Sequence, residues 1–159
     1  SLTRTIAIEI LLRQEKSTLP VEQLLEEHLA GVQLQDPRDR QFITALVYGA
    51  LQWRGYLDWV IERYSKHPLR KMKNLTRQAL RVGVYQLLFM DRVPPAAAVG
   101  ETVQALRERG QPKWLVGFVN GLLRNLARTR AELPGPGRRE EALPLAAPLS
   151  HPPWLLKRG

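Results

Sequence analysis

With 159 residues, and 24 Lys and Arg against 15 Asp and Glu, the chain suits one domain of ordinary size plus an appendage and carries a formal charge of +9. That excess points to a polyanionic partner, nucleic acid first and an anionic membrane surface second. No apolar run approaches the roughly 20 residues of a membrane span, no signal-peptide pattern opens the chain, and the lack of cysteine excludes disulfides, thiolate zinc sites and cysteine nucleophiles while fitting a reducing cytoplasm.

Amphipathic stretches punctuated by Pro and Gly, with no pair of alternating Val/Ile/Thr-rich segments around a tight turn, make the class all-α. Leu2 to Lys16 sets Ile6, Ile10 and Leu11 on one face with Ala7 beside them, which predicts a first helix. Pro20 introduces a short second one, in which Val21, Leu24, Leu25 and Leu29 recur until Gly31. Asp36-Pro37 starts a third, because the carboxylate accepts an orphan backbone N–H and proline has none to leave unsatisfied. Its rows, Phe42, Leu46, Gly49 and Trp53 beside Ile43, Val47 and Ala50, continue through Leu57, Val60, Ile61 and Tyr64. One helix bent near Gly55 is preferred there over two.

His67-Pro68 interrupts the pattern, since a residue before proline is pushed out of the helical region. The central helix follows over Leu75 to Met90. Arg77 and Arg81 lie four apart on one side, Leu75, Ala79, Leu80 and Val82 fill the others, and from Val82 onward Gln86 is the one plainly polar residue. The expectation is a helix with its first end in water and its second in the core. Pro94-Pro95 opens another helix to Arg109, with Val99, Val103 and Leu106 inward and Gly110 closing it. Glu101 is expected to favour that helix's N-terminus.

Gln111-Pro112 starts a last helix carrying Leu115, Phe118, Val119, Leu122, Leu123 and Leu126, where Gly117 and Gly121 suit close approach of another backbone. The helical domain is expected to span 1–130. A Pro/Gly-rich linker over 131–149 follows, and then 150–159, where Ser150-His151-Pro152-Pro153 leads into a single amphipathic turn too short to stand alone. The chain is expected to continue into a further region there.

Charge is uneven along the chain. Leu2 to Ala30 is slightly acidic, whereas Glu62 is the single carboxylate among Arg63, Lys66, Arg70, Lys71, Lys73, Arg77 and Arg81. If Arg70 to Arg81 is continuous helix, Arg70, Lys73, Arg77 and Arg81 form a stripe that meets successive phosphates. Like charges four apart repel, and no acid relieves them, which favours phosphate contact over a merely solvated face. These seven cations are the candidate RNA-binding residues, with Arg128, Arg130 and the linker arginines as auxiliaries. Reversing Arg70, Lys73, Arg77 and Arg81 to Glu is expected to weaken RNA binding and flatten its salt dependence.

Aromatic interleaving is thin, because Tyr64 and Tyr85 sit at core positions. The isolated His28, His67 and His151 have no ligand-spaced neighbours for a metal, Val82-Gly83-Val84 reads as helix packing, and no nucleophile has a partnered base. No catalytic, cofactor or metal-binding residue is assigned.

Three segments carry a resemblance: Leu80 to Leu88 (Leu-Arg-Val-Gly-Val-Tyr-Gln-Leu-Leu), Val93 to Val103 (Val-Pro-Pro-Ala-Ala-Ala-Val-Gly-Glu-Thr-Val), and Phe118 to Arg124 (Phe-Val-Asn-Gly-Leu-Leu-Arg). In order and spacing they resemble the NusB fold, which implies about seven helices in two packed subdomains and an RNA-binding role. Asp39-Arg40, Leu46 to Leu51, Leu57 to Ile61 and the run Ser150 to Arg158 are similar to the Sun/Fmu (RsmB) family of small-subunit rRNA 5-methylcytosine methyltransferases. That resemblance implies S-adenosylmethionine in a parent protein, a methyltransferase domain in cis beyond the linker, and small-subunit rRNA as partner. The family's glycine motif and two catalytic cysteines are not in this sequence, and a NusB factor's arginine-rich N-terminus is reduced to Arg4 and Arg13. The other readings are a NusB-type antitermination adaptor between RNA and a ribosomal protein, and a purely structural or dimerising module.

Overall fold

Apolar residues at helical spacing form seven helices: α1 (Leu2–Lys16), α2 (Val21–Ala30), α3 (Pro37–Gln52), α4 (Arg54–Tyr64), α5 (Asn74–Phe89), α6 (Pro95–Glu108) and α7 (Lys113–Thr129). Single 3-10 turns follow α4, at Leu69–Lys71, and α7, at Arg130–Glu132. The computed structural model describes residues 2–134 and contains no strand among them. The expected linker past Pro134 and the stretch 150–159 lie outside the described residues.

Helix boundaries follow local chemistry. Asp36 caps α3, its carboxylate accepting from the Arg38 N–H at 2.9 Å, and Pro37 occupies the first helical position. At the end of α6, Gly110 takes φ +69, its N–H donates to the Arg107 carbonyl and that of Gln111 to Leu106, which satisfies two orphan carbonyls. The expected single bent helix is instead two. The break falls at Trp53, two residues before Gly55, where φ −102 and ψ 15 turn the chain while its N–H still reaches the Gly49 carbonyl. The indole is 2% exposed and stacks on Phe89 at 5.2 Å, so packing of a large ring in the core fixes the break.

The centre of the molecule is α5, which packs against α1, α3, α4, α6 and α7. Every residue from Gln78 to Val84 is buried, and burial loosens at both ends, at Asn74 and Leu75 and again from Leu88 to Met90. The wet end is therefore shorter than the sequence suggests and does not include Arg81. Close helix approach comes from small residues. At Gly49 of α3 a Cβ would overlap the Tyr85 ring, and Gly83 of α5 lies under the Leu123 side chain of α7. Gly117 and Gly121, expected to serve such contacts, are exposed, with no atom of the described residues where their Cβ would stand.

One polar network is built into this core. Gln86, fully buried, donates to the Val82 carbonyl and to Thr102 Oγ1 of α6 and accepts from Arg4 Nε of α1 at 3.0 Å. Each buried polar atom so named has a partner, as burial requires. The Arg4 guanidinium lies 4.6 Å over the Phe42 ring, and burial lowers its pKa while the charges of Glu101 and Asp39 pull the other way.

Candidate nucleic-acid interface

Pro68 shapes the connector between α4 and α5. Ser65 leaves α4 in extended backbone, and its hydroxyl accepts from the His67 N–H and donates to the His67 carbonyl. Pro68 is extended, Leu69–Lys71 makes one 3-10 turn, and Met72 and Lys73 are extended again before α5. Leu69 anchors the turn, 7% exposed, its N–H donating to Glu62 Oε1 at 3.2 Å. A connector pinned on its apolar side turns its charged side chains outward. Lys66, Arg70, Lys71 and Lys73 are exposed and have no carboxylate partner among the described residues. Arg63, one turn upstream on α4, is exposed with its guanidinium 5.4 Å from the Trp59 ring.

The helical stripe from Arg70 to Arg81 does not form. Arg70 belongs to the 3-10 turn, Met72 is extended, and Lys73 is the extended N-cap of α5, its carbonyl accepting from the Arg77 N–H at 3.1 Å, so no continuous helix carries Arg70 to Arg81. Arg77 is half-buried and folds back so that Nη1 donates to the Met72 carbonyl, tying connector to helix. Arg81 is 6% exposed: Nε and Nη2 donate to the two carboxylate oxygens of Asp58 at 2.8 and 2.9 Å, and Nη1 to Glu15 at 3.2 Å. This guanidinium clamps α1, α4 and α5 together and faces protein rather than solvent. Its planar fork suits two carboxylates at once. Reversal of Arg81 to Glu would set three carboxylates together, so the expected four-fold reversal mixes a folding defect with any binding defect.

Beside the connector, the first turn of α7 completes a groove of about 340 Å³ lined by His67, Pro68, Lys71, Met72, Lys73, Thr76, Trp114, Leu115 and Phe118. Trp114 is 71% exposed. Sequence reasoning missed it. The available signal was an aromatic next to Lys113, one residue ahead of the inward row that begins at Leu115. The two tyrosines do sit in or against the core. Tyr64 shares a 2.7 Å hydrogen bond with Thr129, and Tyr85 stacks on Phe89 with its phenol pKa raised by burial.

The remaining candidates scatter. Arg128 is exposed and donates to Asn125, whereas Arg130 donates to the Leu87 carbonyl at 2.7 Å and closes the bottom of α5. Glu101 lies two turns into α6 and not in its first turn, where it acts on Arg4 rather than on the helix N-terminus. His28 pairs with Glu9 at 3.0 Å, and His67 sets its edge on the Phe118 ring at 5.5 Å. Among the described residues no three metal-ligating side chains cluster, and no helix is long and apolar enough to cross a membrane.

A buried central helix packed against five of the other six, with a cationic connector on one side, defines an all-helical bundle domain. A family model described as the NusB family matches residues 1–128, and the chain belongs to that family. It is 34% identical over 158 residues to the probable ribosomal RNA small subunit methyltransferase B of Bacillus subtilis (strain 168), covering 97% of this chain and 34% of the relative. To the ribosomal RNA small subunit methyltransferase B of Escherichia coli (strain UMN026) it is 32% identical over 145 residues, 87% of this chain and 32% of the relative. The chain thus spans about a third of the length of the curated relatives it matches. Among solved structures, a chain from antitermination factors NusB and NusE in complex with dsRNA superposes with a TM-score of 0.71 at 21% identity, over 80% of this chain and 94% of that one. T. maritima NusB superposes with a TM-score of 0.69 at 25% identity, over 82% of this chain and 95% of that one.

Proposed function

We propose that this NusB-family domain is the RNA-binding helical part of a longer small-subunit rRNA methyltransferase, and that it positions 16S rRNA for a catalytic domain in cis. The observation that carries this reading is the connector. Lys66, Arg70, Lys71 and Lys73 stand exposed within eight residues of chain and none is ion-paired among the described residues; the one carboxylate bound to the connector, Glu62, accepts from the Leu69 N–H. Such a concentration of solvated charge supplies affinity for phosphates without sequence preference. In this reading Arg63 extends the patch, while Arg81 and Arg77 hold its scaffold. The names of the 34% and 32% identical relatives support small-subunit rRNA as partner. Cytosine C5 as the methylated atom and S-adenosylmethionine as donor belong to the proposed parent protein. No residue here is assigned to that cofactor. A cytoplasmic setting follows from the same reading.

A NusB-type antitermination adaptor is the second reading, favoured by near-complete coverage of the NusB chains, 94% and 95% of their length. The higher identity to the methyltransferases, across nearly the whole chain, weighs against it. The test replaces Lys66, Arg70, Lys71 and Lys73 together by Ala in the complete protein, then measures affinity for a small-subunit rRNA fragment and methyl transfer from labelled S-adenosylmethionine. The proposal expects affinity to fall at least tenfold and transfer at sub-saturating RNA to fall with it. Unchanged affinity removes the connector as the RNA site, and rRNA binding without methyl transfer by the complete wild-type protein leaves the adaptor.

A further inference from the structure

Two clefts of about 510 and 500 Å³ lie end to end between α6 and α7. In the first, Ala96, Val99 and Gly100 of α6 face Arg124, Ala127 and Arg128 of α7. In the second, Arg107 in the last turn of α6 faces Lys113, Val116 and Gly117. Asn120 lines both, so together they make one trough along the helix pair. Its rim is cationic. Arg107, Lys113, Arg124 and Arg128 are exposed, Arg107 donates to Gln104 and Arg128 to Asn125, and none of the four is ion-paired among the described residues. No described carboxylate lines the trough. Gly117 and Gly121, interior to α7, are exposed there, with no described atom where a Cβ would stand. Glycine weakens a helix interior, and these two gain no packing inside the domain. What they permit is close approach of a backbone from outside.

Resting on the reading that a catalytic domain follows in cis, we propose that the α6–α7 trough seats an acidic amphipathic helix of that domain. The spacing of the clefts carries the shape. Along α7 one spans Lys113 to Asn120 and the other Asn120 to Arg128, so their middles lie about 11 Å apart at roughly 1.5 Å per residue. Apolar side chains at i and i+7 of a helix laid in the trough fall at that interval, one to each cleft. Gly117 and Gly121 let its backbone come near, and its flanking carboxylates meet Arg107 and Lys113 at one end and Arg124 and Arg128 at the other. A phosphate backbone would satisfy the cations but leave the apolar floor at Val99 and Val116 uncovered. The occupant is sought in cis because this chain spans about a third of the length of its curated relatives, which leaves two thirds of such a protein to be placed. The chain leaves α7 at Thr129, next to Arg128 at the end of the trough. A domain tethered there is held at high local concentration, so a modest interface suffices. The trough then fixes the angle between the catalytic domain and the connector that holds the RNA.

The test uses the complete protein with a benzophenone amino acid in place of Ala96, at the edge of the trough, irradiated without RNA and mapped by mass spectrometry. The expected cross-link joins one helical segment of the downstream domain that carries Asp or Glu on its flanks. Gly117→Leu with Gly121→Leu fills the trough and is expected to lower the cross-link yield at least tenfold. Arg124→Glu with Arg128→Glu lowers it too. In the complete protein the leucine pair is also expected to reduce kcat for methyl transfer several-fold while rRNA affinity, set at the connector, stays that of the wild type. Leucine is favoured over glycine in a helix interior and both Cβ positions are open, so the pair leaves the melting temperature of the 159-residue chain no lower, which separates docking from folding. A cross-link absent from the downstream domain, or untouched by the leucine pair, overturns the interface. A charge pair without effect overturns its acidic character. Cross-links that form only to added rRNA, or only between two copies, overturn it in favour of those occupants. Connector-dependent rRNA binding and methyl transfer without the cross-link sink the interface alone, whereas the cross-link in a protein that neither binds rRNA nor transfers methyl sinks the functional reading and leaves the interface.

Discussion

Arg81 contributes to folding by the same chemistry that made it a candidate for phosphate. Its guanidinium, 8% exposed, meets two carboxylates that are themselves about a quarter exposed. Removing one partner of a buried ion pair costs about 3–5 kcal/mol, and partial rehydration of Asp58 and Glu15 places Arg81→Met near the low end, at about 3 kcal/mol. Denaturant unfolding checks this, and RNA affinity of the folded fraction is expected to be unchanged. An Arg81→Met chain of wild-type stability with reduced affinity would make Arg81 an RNA contact after all. Tyr85 gives a pH signature. Burial raises its phenol above the ordinary value of about 10, so the neutral ring favours the folded state, and that stability is full below the unfolded pKa. As pH climbs through the raised folded value the contribution is lost, because the unfolded chain releases its proton first. Tyr85→Phe is therefore expected to flatten the loss of melting temperature above pH 10. A parallel alkaline decline in both proteins would contradict the assignment.

At the scale of elements, the helices were legible because their signals are local: the Asp36-Pro37 start, the Gly110 stop, and apolar rows such as Leu115, Val119, Leu122 and Leu126. The candidate site was only half legible, because its decisive features depend on residues distant in sequence. Nothing near Arg81 announces Asp58, 23 residues away, or Glu15, 66 away. Arg70 and Lys73 have the charge of the expected helical stripe, but the chain there alternates extended backbone at Pro68, Met72 and Lys73 with one 3-10 turn, a backbone choice that the spacing of cations alone does not encode. Trp114 joins the connector only because α7 packs against α5 and α4. Trp53, which looks like one more residue of an apolar row, breaks the helix because its ring is claimed by Phe89 on α5. Gln86, by contrast, was plainly polar in an apolar run, and it ties α1 and α6 to α5. Gln86→Leu leaves Arg4 Nε and the Thr102 hydroxyl without their partner and is expected to destabilise by about 1–3 kcal/mol. A neutral outcome in chemical denaturation would mean that water or a new rotamer replaces both bonds.

For the molecule as a whole, the bundle divides labour between a rigid interior and one charged edge. The core helix and its clamps, Arg81 to α1 and α4, Gln86 to α1 and α6, and Leu69 under the connector, fix where Lys66, Arg70, Lys71 and Lys73 stand. Net charge alone, +9 over the sequence, would give a polyanion many weak places to bind. In the proposed reading, the pinned connector is the place where that charge is concentrated for it. The measurement that tests this most directly is the slope of log K against log salt for a small-subunit rRNA fragment. It is taken for the wild type, the four-alanine connector variant and Arg81→Met. The predicted result is a connector slope shallower by roughly 0.7 for each single-strand phosphate that the variant no longer neutralises, with the Arg81→Met slope equal to the wild type. An unchanged slope in the connector variant, or a shallower one in Arg81→Met alone, would contradict it.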